Sequence, residues 1–248
     1  MLNLHCLHGT FQAPVVWSDF AARLAAHAGA GDAVRVLAED VEPPAAGGAE
    51  AWTTGLCRRL GTPPGDGDTR ALLGYSLGGR LAMRALVACP QAWSAAVLVA
   101  AHPGGGGEQE RAAVRRRDAA WAERCRGDRW DDLLADWDAQ PLFGGRSNRA
   151  PRTADGLDRE RCARVFEVFS RGRQADLRPQ LAALPLPPVL YVTGADDARY
   201  GALGEELAVL VPTITHVVVP GAGHRVPWDR PDEFAATVRH FLREVVRP

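Results

Sequence analysis

The residues Gly74-Tyr75-Ser76-Leu77-Gly78-Gly79-Arg80 decide the fold. They read Gly-x-Ser-x-Gly, with an apolar run (Ala71, Leu72, Leu73) before them and a helical pattern (Leu81, Ala82, Ala85, Leu86) after. Strand, sharp turn, helix, with a serine at the turn, describes a nucleophile elbow. The two flanking glycines are a steric requirement, because so tight a turn leaves no room for Cβ atoms two residues to either side. The plainer alternative is an ordinary strand-to-helix turn with Ser76 as N-cap.

Outward from the elbow, short apolar runs alternate with amphipathic ones. Upstream, Leu2 to Leu7 is expected to form a strand that runs into His8-Gly9-Thr10. Trp17 to His27 carries Trp17, Phe20, Ala21, Leu24 and Ala25 at helical spacing. Ala33 to Ala38 is expected as a strand and Ala51 to Leu60 as a helix, with a Pro/Gly/Ala loop between them. Downstream, strands are expected at Ala95 to Ala100, Val189 to Thr193 and His216 to Val219. Helices are expected near Gly204 to Leu210 and from Pro231 to Val246, with Pro231 suiting a first turn.

Strands alternating with helices predict an α/β protein with a mostly parallel sheet and right-handed crossovers. From His102 to about Leu184 the rhythm changes, and no strand is predicted. Helical, arginine-rich segments take its place at Glu108 to Arg124, Trp130 to Trp137 and Asp158 to Ser170. This block is too long for a connection. Residues 103–184 are therefore expected to form a helical lid over the carboxyl ends of the strands, within one domain spanning 1–248.

Composition narrows the function classes. The hydrophobic fraction of 46% supports a sizeable core. A net charge of -1 argues against a nucleic-acid or membrane-surface partner. All 29 basic residues are arginine, which looks like a compositional bias and weakens any single arginine as a sign of function. The five cysteines (Cys6, Cys57, Cys89, Cys125, Cys162) are scattered and form no Cys-x-x-Cys, so neither a zinc site nor a disulfide framework is expected. No signal peptide precedes the first strand and no apolar run approaches ~18 residues, which predicts a soluble, reducing, cytoplasmic setting. No ligand cluster or phosphate loop implies a metal or an organic cofactor.

A serine hydroxyl is a poor nucleophile or base unless a histidine takes its proton. That histidine should follow the last strand, and Gly221-Ala222-Gly223-His224 does so. His5, His27, His216 and His240 lie within strands or helices and read as structural. The carboxylate that orients the imidazole should follow the strand before last, where Thr193-Gly194-Ala195-Asp196-Asp197 offers two. Asp197 is preferred, with Asp196 in reserve. The chain order Ser, Asp, His is that of α/β-hydrolases. The expected oxyanion-hole donors are the backbone N–H groups of Leu77, just after the serine, and Thr10, just after His8-Gly9. Arg80 follows Ser76 by one helical turn and is placed to hold a substrate carboxylate, unless it reaches solvent. Of Arg115-Arg116-Arg117, at most one is expected to point inward.

With these residues in view the chain resembles the menaquinone-pathway lyase family. The resemblance is carried by the elbow, His102-Pro103-Gly104, Glu110-Arg111 through Arg117-Asp118 to Trp121, Trp137-x-x-Gln140-Pro141-x-Phe143, Gln174-x-Asp176-Leu177-Arg178 and Gly221-Ala222-Gly223-His224. It covers nearly the whole chain and implies an α/β-hydrolase fold. The implied reaction is elimination of pyruvate from an enolpyruvyl precursor to give 2-succinyl-6-hydroxy-2,4-cyclohexadiene-1-carboxylate. Ser76, His224 and Asp197 would abstract a ring proton, and Tyr75, Arg80, His102, Arg111, Arg115 and Trp137 would contact a small substrate bearing carboxylates. The family's lid arginine falls on Val114, flanked by Arg111 and Arg115 as substitutes; Arg152, Arg159 and Arg161 are candidates for its second. Glu39 to Pro44 stands where the family shows Asp-x-Pro-Gly-His-Gly, and its opening antiparallel hairpin is absent or reduced. Two other readings compete: a hydrolase of a small ester, thioester or carbon–carbon bond, and a catalytically silent binding protein.

Overall fold

The computed structural model describes residues 1–26, 33–60, 69–152 and 157–246. In chain order the elements are β1 (Leu2–Leu7), α1 (Ser18–Ala26), β2 (Val34–Glu39), α2 (Gly48–Leu60), β3 (Thr69–Tyr75), α3 (Leu77–Ala88) and β4 (Ala95–Val99). There follow α4 (Glu108–Gly127), α5 (Trp130–Asp138), α6 (Arg159–Val168), α7 (Arg178–Ala183), β5 (Val189–Gly194), α8 (Ala198–Leu210), β6 (Ile214–Val219), α9 (Val226–Asp229) and α10 (Pro231–Val245). His27, the expected end of the first helix, lies outside the described residues.

The six strands form one sheet in the order β2-β1-β3-β4-β5-β6, and every neighbouring pair is parallel. A parallel sheet is covered on both faces, so its inner strands read as continuous apolar runs. β4 and β5 are buried at every position, whereas the edge strands β2 and β6 mix buried or half-buried with exposed residues. Side chains alternate across the sheet. Leu72, Leu98 and Tyr191 join Leu81, Met83 and Leu86 of α3 in one core. Leu4, Leu73, Val97 and Val192 join Phe20, Phe234 and Val238 from α1 and α10 in the other.

The helical insertion between β4 and β5 divides in two. α4, α5 and α6 share a separate apolar cluster, with Trp121, Cys125, Leu133, Cys162 and Phe166, and Phe11 from the loop after β1 is built into it. Trp137 packs edge-on against Phe11 with centroids 5.1 Å apart. α7 instead sets Leu181 in the core beneath α3, with the main layer. The helix after β5 starts at Ala198, earlier than the sequence pattern suggests, because Asp197 caps it.

One expectation is corrected. Cys57 and Cys89 form a disulfide, with Cα atoms 6.2 Å apart. No sequence motif announces it, because packing of α2 on α3 is what brings two residues 32 apart in the chain together. Cys6, Cys125 and Cys162 are free and buried. Among the described residues, no helix is long and apolar enough to cross a membrane, and no group of three or more His, Cys, Asp or Glu is positioned to hold a metal ion.

Candidate active site

β3 delivers Ser76 to the carboxyl edge of the sheet, and α3 begins at the next residue. Ser76 has φ 52°, a left-handed conformation that costs a side-chain-bearing residue energy. The turn closes because Gly74 and Gly78 lie flush with backbone: a Cβ at Gly74 would strike Gly78, and one at Gly78 would strike Leu7 and His8. Phe11 (φ 54°) and Ala100 (φ 46°), just beyond β1 and β4, share this conformation. Three strained residues thus follow three adjacent strands at the same edge.

The loops after β5 and β6 complete the relay. His224 Nδ1 lies 2.7 Å from Asp197 Oδ2, and its Nε2 lies 3.3 Å from Ser76 Oγ. In that arrangement the carboxylate accepts from Nδ1–H, leaving Nε2 as acceptor for the serine hydroxyl. A serine–histidine contact of this length shortens as substrate is bound. Asp197 and His224 are both buried. Asp196, the reserve, points elsewhere and ion-pairs with Arg146. Small residues let the two loops touch: a Cβ on Gly194 would meet the Ala222 and Gly223 carbonyls.

Above the relay lies a cavity between the sheet edge and the helical insertion. Thr10, Tyr75, Ser76, Leu77, Arg80, His102, Trp137 and His224 all line it, so eight positions chosen from sequence converge there. Arg111 and Arg115 do not. Glu108 binds both on the outer side of α4, and Arg115 also donates to the Gly172 carbonyl. The expectation that they face the substrate is therefore corrected. Val114, between them, is buried. Of the arginine run only Arg117 lines the cavity, held by Asp118 at 2.9 Å. Arg159 donates to the Cys125 and Asp128 carbonyls, and Arg161 ion-pairs with Asp40 and Glu42, so of the three candidates only Arg152 reaches the cavity.

The lining holds six arginines, 80, 117, 152, 171, 199 and 225, against one acidic residue, Asp118. Arg80 donates to Gln174 Oε1 (3.0 Å) and to the Phe169 carbonyl (2.7 Å). Burial lowers its pKa to about 10, so it stays charged at neutral pH. His102 accepts from Gly104 N–H at 3.0 Å; burial, then the surrounding arginines, push its pKa down to about 3, which keeps it neutral. Tyr75 packs against His224 and Trp228, and burial raises its hydroxyl pKa far above the ordinary value. Sequence reasoning missed Arg171, Arg199 and Arg225. Arg225 carried a usable signal, since it directly follows His224.

Residues 6–237 match the model of the alpha/beta hydrolase family. The chain is 36% identical over 177 residues to the 2-succinyl-6-hydroxy-2,4-cyclohexadiene-1-carboxylate synthase of Klebsiella pneumoniae, a match covering 69% of this chain and 67% of the relative. It is 34% identical over 176 residues to the enzyme of the same name from Escherichia coli O1:K1 / APEC, covering 69% and 68%. Among solved structures, MenH from S. aureus superposes with a TM-score of 0.82 at 20% identity, covering 99% of this chain and 95% of that one. A thermophilic esterase from Thermogutta terrifontis, solved with malate bound, gives 0.73 at 20% identity, covering 99% and 90%. The chain therefore belongs to the alpha/beta hydrolase family and, within it, to the 2-succinyl-6-hydroxy-2,4-cyclohexadiene-1-carboxylate synthases.

Proposed function

We propose that the protein eliminates pyruvate from 2-succinyl-5-enolpyruvyl-6-hydroxy-3-cyclohexene-1-carboxylate to give 2-succinyl-6-hydroxy-2,4-cyclohexadiene-1-carboxylate, a step of menaquinone biosynthesis. The supporting observation is a serine–histidine–aspartate relay at the base of a cavity lined by six arginines. An acyl-transfer site needs no such excess of cation, whereas a substrate with several carboxylates does.

In this reading Ser76, deprotonated by His224, removes the ring proton alpha to the succinyl ketone. The carbanion is delocalised onto the ketone oxygen as an enolate. Its charge is received by the backbone N–H groups of Leu77 and Thr10. Leu77 is suited to this, because the first N–H groups of a helix have no partner inside it and carry the positive end of its dipole. The electron pair returns to form the new ring double bond, the C–O bond breaks, and enolpyruvate leaves to become pyruvate. The imidazolium on His224, stabilised by Asp197, holds the proton taken from Ser76 while Ser76 carries the ring proton, and the imidazolium's proton passes to the departing enolpyruvate as it becomes pyruvate. Helices α4 to α6 act as the lid that keeps water from this sequence. We infer that the reaction takes place in the cytoplasm, on a free small molecule rather than on a nucleic acid or a membrane.

Coupling pyruvate release to a dehydrogenase, with the authentic precursor, tests the reading. Wild type is expected to release pyruvate well above the spontaneous rate, and Ser76→Ala to lose at least about a thousandfold in kcat. Absence of pyruvate from a folded wild-type protein rejects the lyase. A covalent serine adduct trapped during ester turnover would favour a hydrolase instead.

A further inference from the structure

The cavity wall contributed by Arg225 has no counterpart among the residues the sequence singled out. Arg225 directly follows His224, and its side chain is only 6% exposed. Its guanidinium lies over the Phe143 ring, 3.6 Å from the centroid. One nitrogen, Nη2, donates to Asp138 at the end of α5. Asp138 is already engaged by a second cation, since Arg152 reaches Oδ1 at 3.3 Å and Oδ2 at 2.6 Å. Two guanidinium groups therefore share one carboxylate, leaving one positive charge uncompensated within this triad. The other nitrogen of Arg225, Nη1, is buried and has no hydrogen-bond partner. An arginine serving only to strap the His224 loop to α5 has no need to leave a buried donor unpaired, which is unfavourable. An anion arriving in the cavity would supply the missing acceptor and the missing charge together. Arg80 cannot do the same job, because it is tied to a different wall through Gln174 and Phe169.

We propose that Arg225 is a specificity-determining residue that takes a substrate carboxylate on its free edge, with Arg152, Asp138 and the Phe143 ring fixing its plane. It rests on the reading above for the identity of the substrate. The missing lid arginine at Val114 is in this way replaced by a cation from the catalytic loop. Asp138 competes with the ligand for Arg225 and so tunes its affinity.

The test separates binding from turnover. Calorimetry with the aromatic dicarboxylate 2-(3-carboxypropanoyl)benzoate, a stable analogue of the product ring and its succinyl arm, is run on wild type, Arg225→Gln, Arg225→Lys and Asp138→Asn. Arg225→Gln should weaken binding about 10- to 100-fold and raise KM for the precursor by a similar factor, with kcat much less affected. Arg225→Lys should recover part of the loss, because it restores charge but not the planar fork. Asp138→Asn should bind the dicarboxylate at least about threefold more tightly, since Arg225 then lacks its anionic partner. A folded Arg225→Gln with wild-type Kd and KM overturns the proposal. If thermal melts show that Arg225→Gln does not fold, Asp138→Asn decides, and unchanged or weaker binding there overturns it. Wild type that binds the dicarboxylate through Arg225 yet releases no pyruvate would reject the lyase reading while leaving this assignment standing.

Discussion

Ser76 and Asp197 illustrate how much function rests on single backbone conformations. Ser76 stands at φ 52° because a strand must end and a helix begin within one residue, and that strain lifts Oγ toward His224. Asp197 does two jobs, accepting from His224 with one oxygen and from the Tyr200 backbone N–H with the other. Asp197→Asn should keep the fold but lower kcat by about a thousandfold or more, because an amide neither fixes the tautomer nor stabilises the imidazolium; pyruvate assays alongside circular dichroism check both halves. Two further histidines make a different prediction. Burial holds His102 at a pKa of about 3 and His8 at about 4, against about 6.5 for each in an unfolded chain. Below pH 6.5 the unfolded state therefore binds more protons than the native state, so stability is complete above that value and is lost as the pH falls toward 4. Each should account for about 2 kcal/mol between pH 7 and pH 5. Urea melts at the two pH values should show the loss, and His102→Gln should reduce its slope.

At the scale of elements, the decisive contact is α3 against the sheet edge. Gly78 abuts the Leu7 and His8 backbone, so Gly78→Ala should overpack this junction and cost about 1–3 kcal/mol, read from urea melts, with activity falling as the serine moves. The far end of the same helix is tied to α2 through Cys57 and Cys89. Closing a loop of that length should contribute about 4 kcal/mol, so dithiothreitol should bring wild type down to the stability of Cys57→Ser. These elements differ in how visible they were beforehand. The elbow was legible because a serine between glycines, after an apolar run and before a helical one, has few other structural uses. The disulfide was not, because it depends on the packing of two helices rather than on a local pattern. Arg111 and Arg115 were misplaced because residues on one helix differ in direction by about 100° each, and gap-free counting cannot settle which face turns inward.

At the scale of the molecule, apolar runs and their spacing sufficed for the sheet and its crossovers, since a buried parallel strand has to be apolar throughout. His224 and Asp197 followed from the same logic, as each stands just beyond a strand whose position the alternation defined. Most arginines of the cavity did not follow, although Arg80 did, from its place one helical turn after Ser76. A chain whose every basic residue is arginine offers no contrast between a functional guanidinium and a solvated one. Only the folded wall separates Arg152, Arg171, Arg199 and Arg225 from the rest.

That wall has a consequence for how the enzyme answers its medium. Arg80, whose pKa burial lowers to about 10, keeps its proton through the working range. The attraction of the pocket for anions therefore holds through the neutral range and is sensitive to ionic strength, which acts through screening. Long-range capture of a multiply charged substrate by this cluster would slow as salt rises, and sulfate or phosphate would compete for the mouth. Salt, more than acidity, is the dial on substrate uptake.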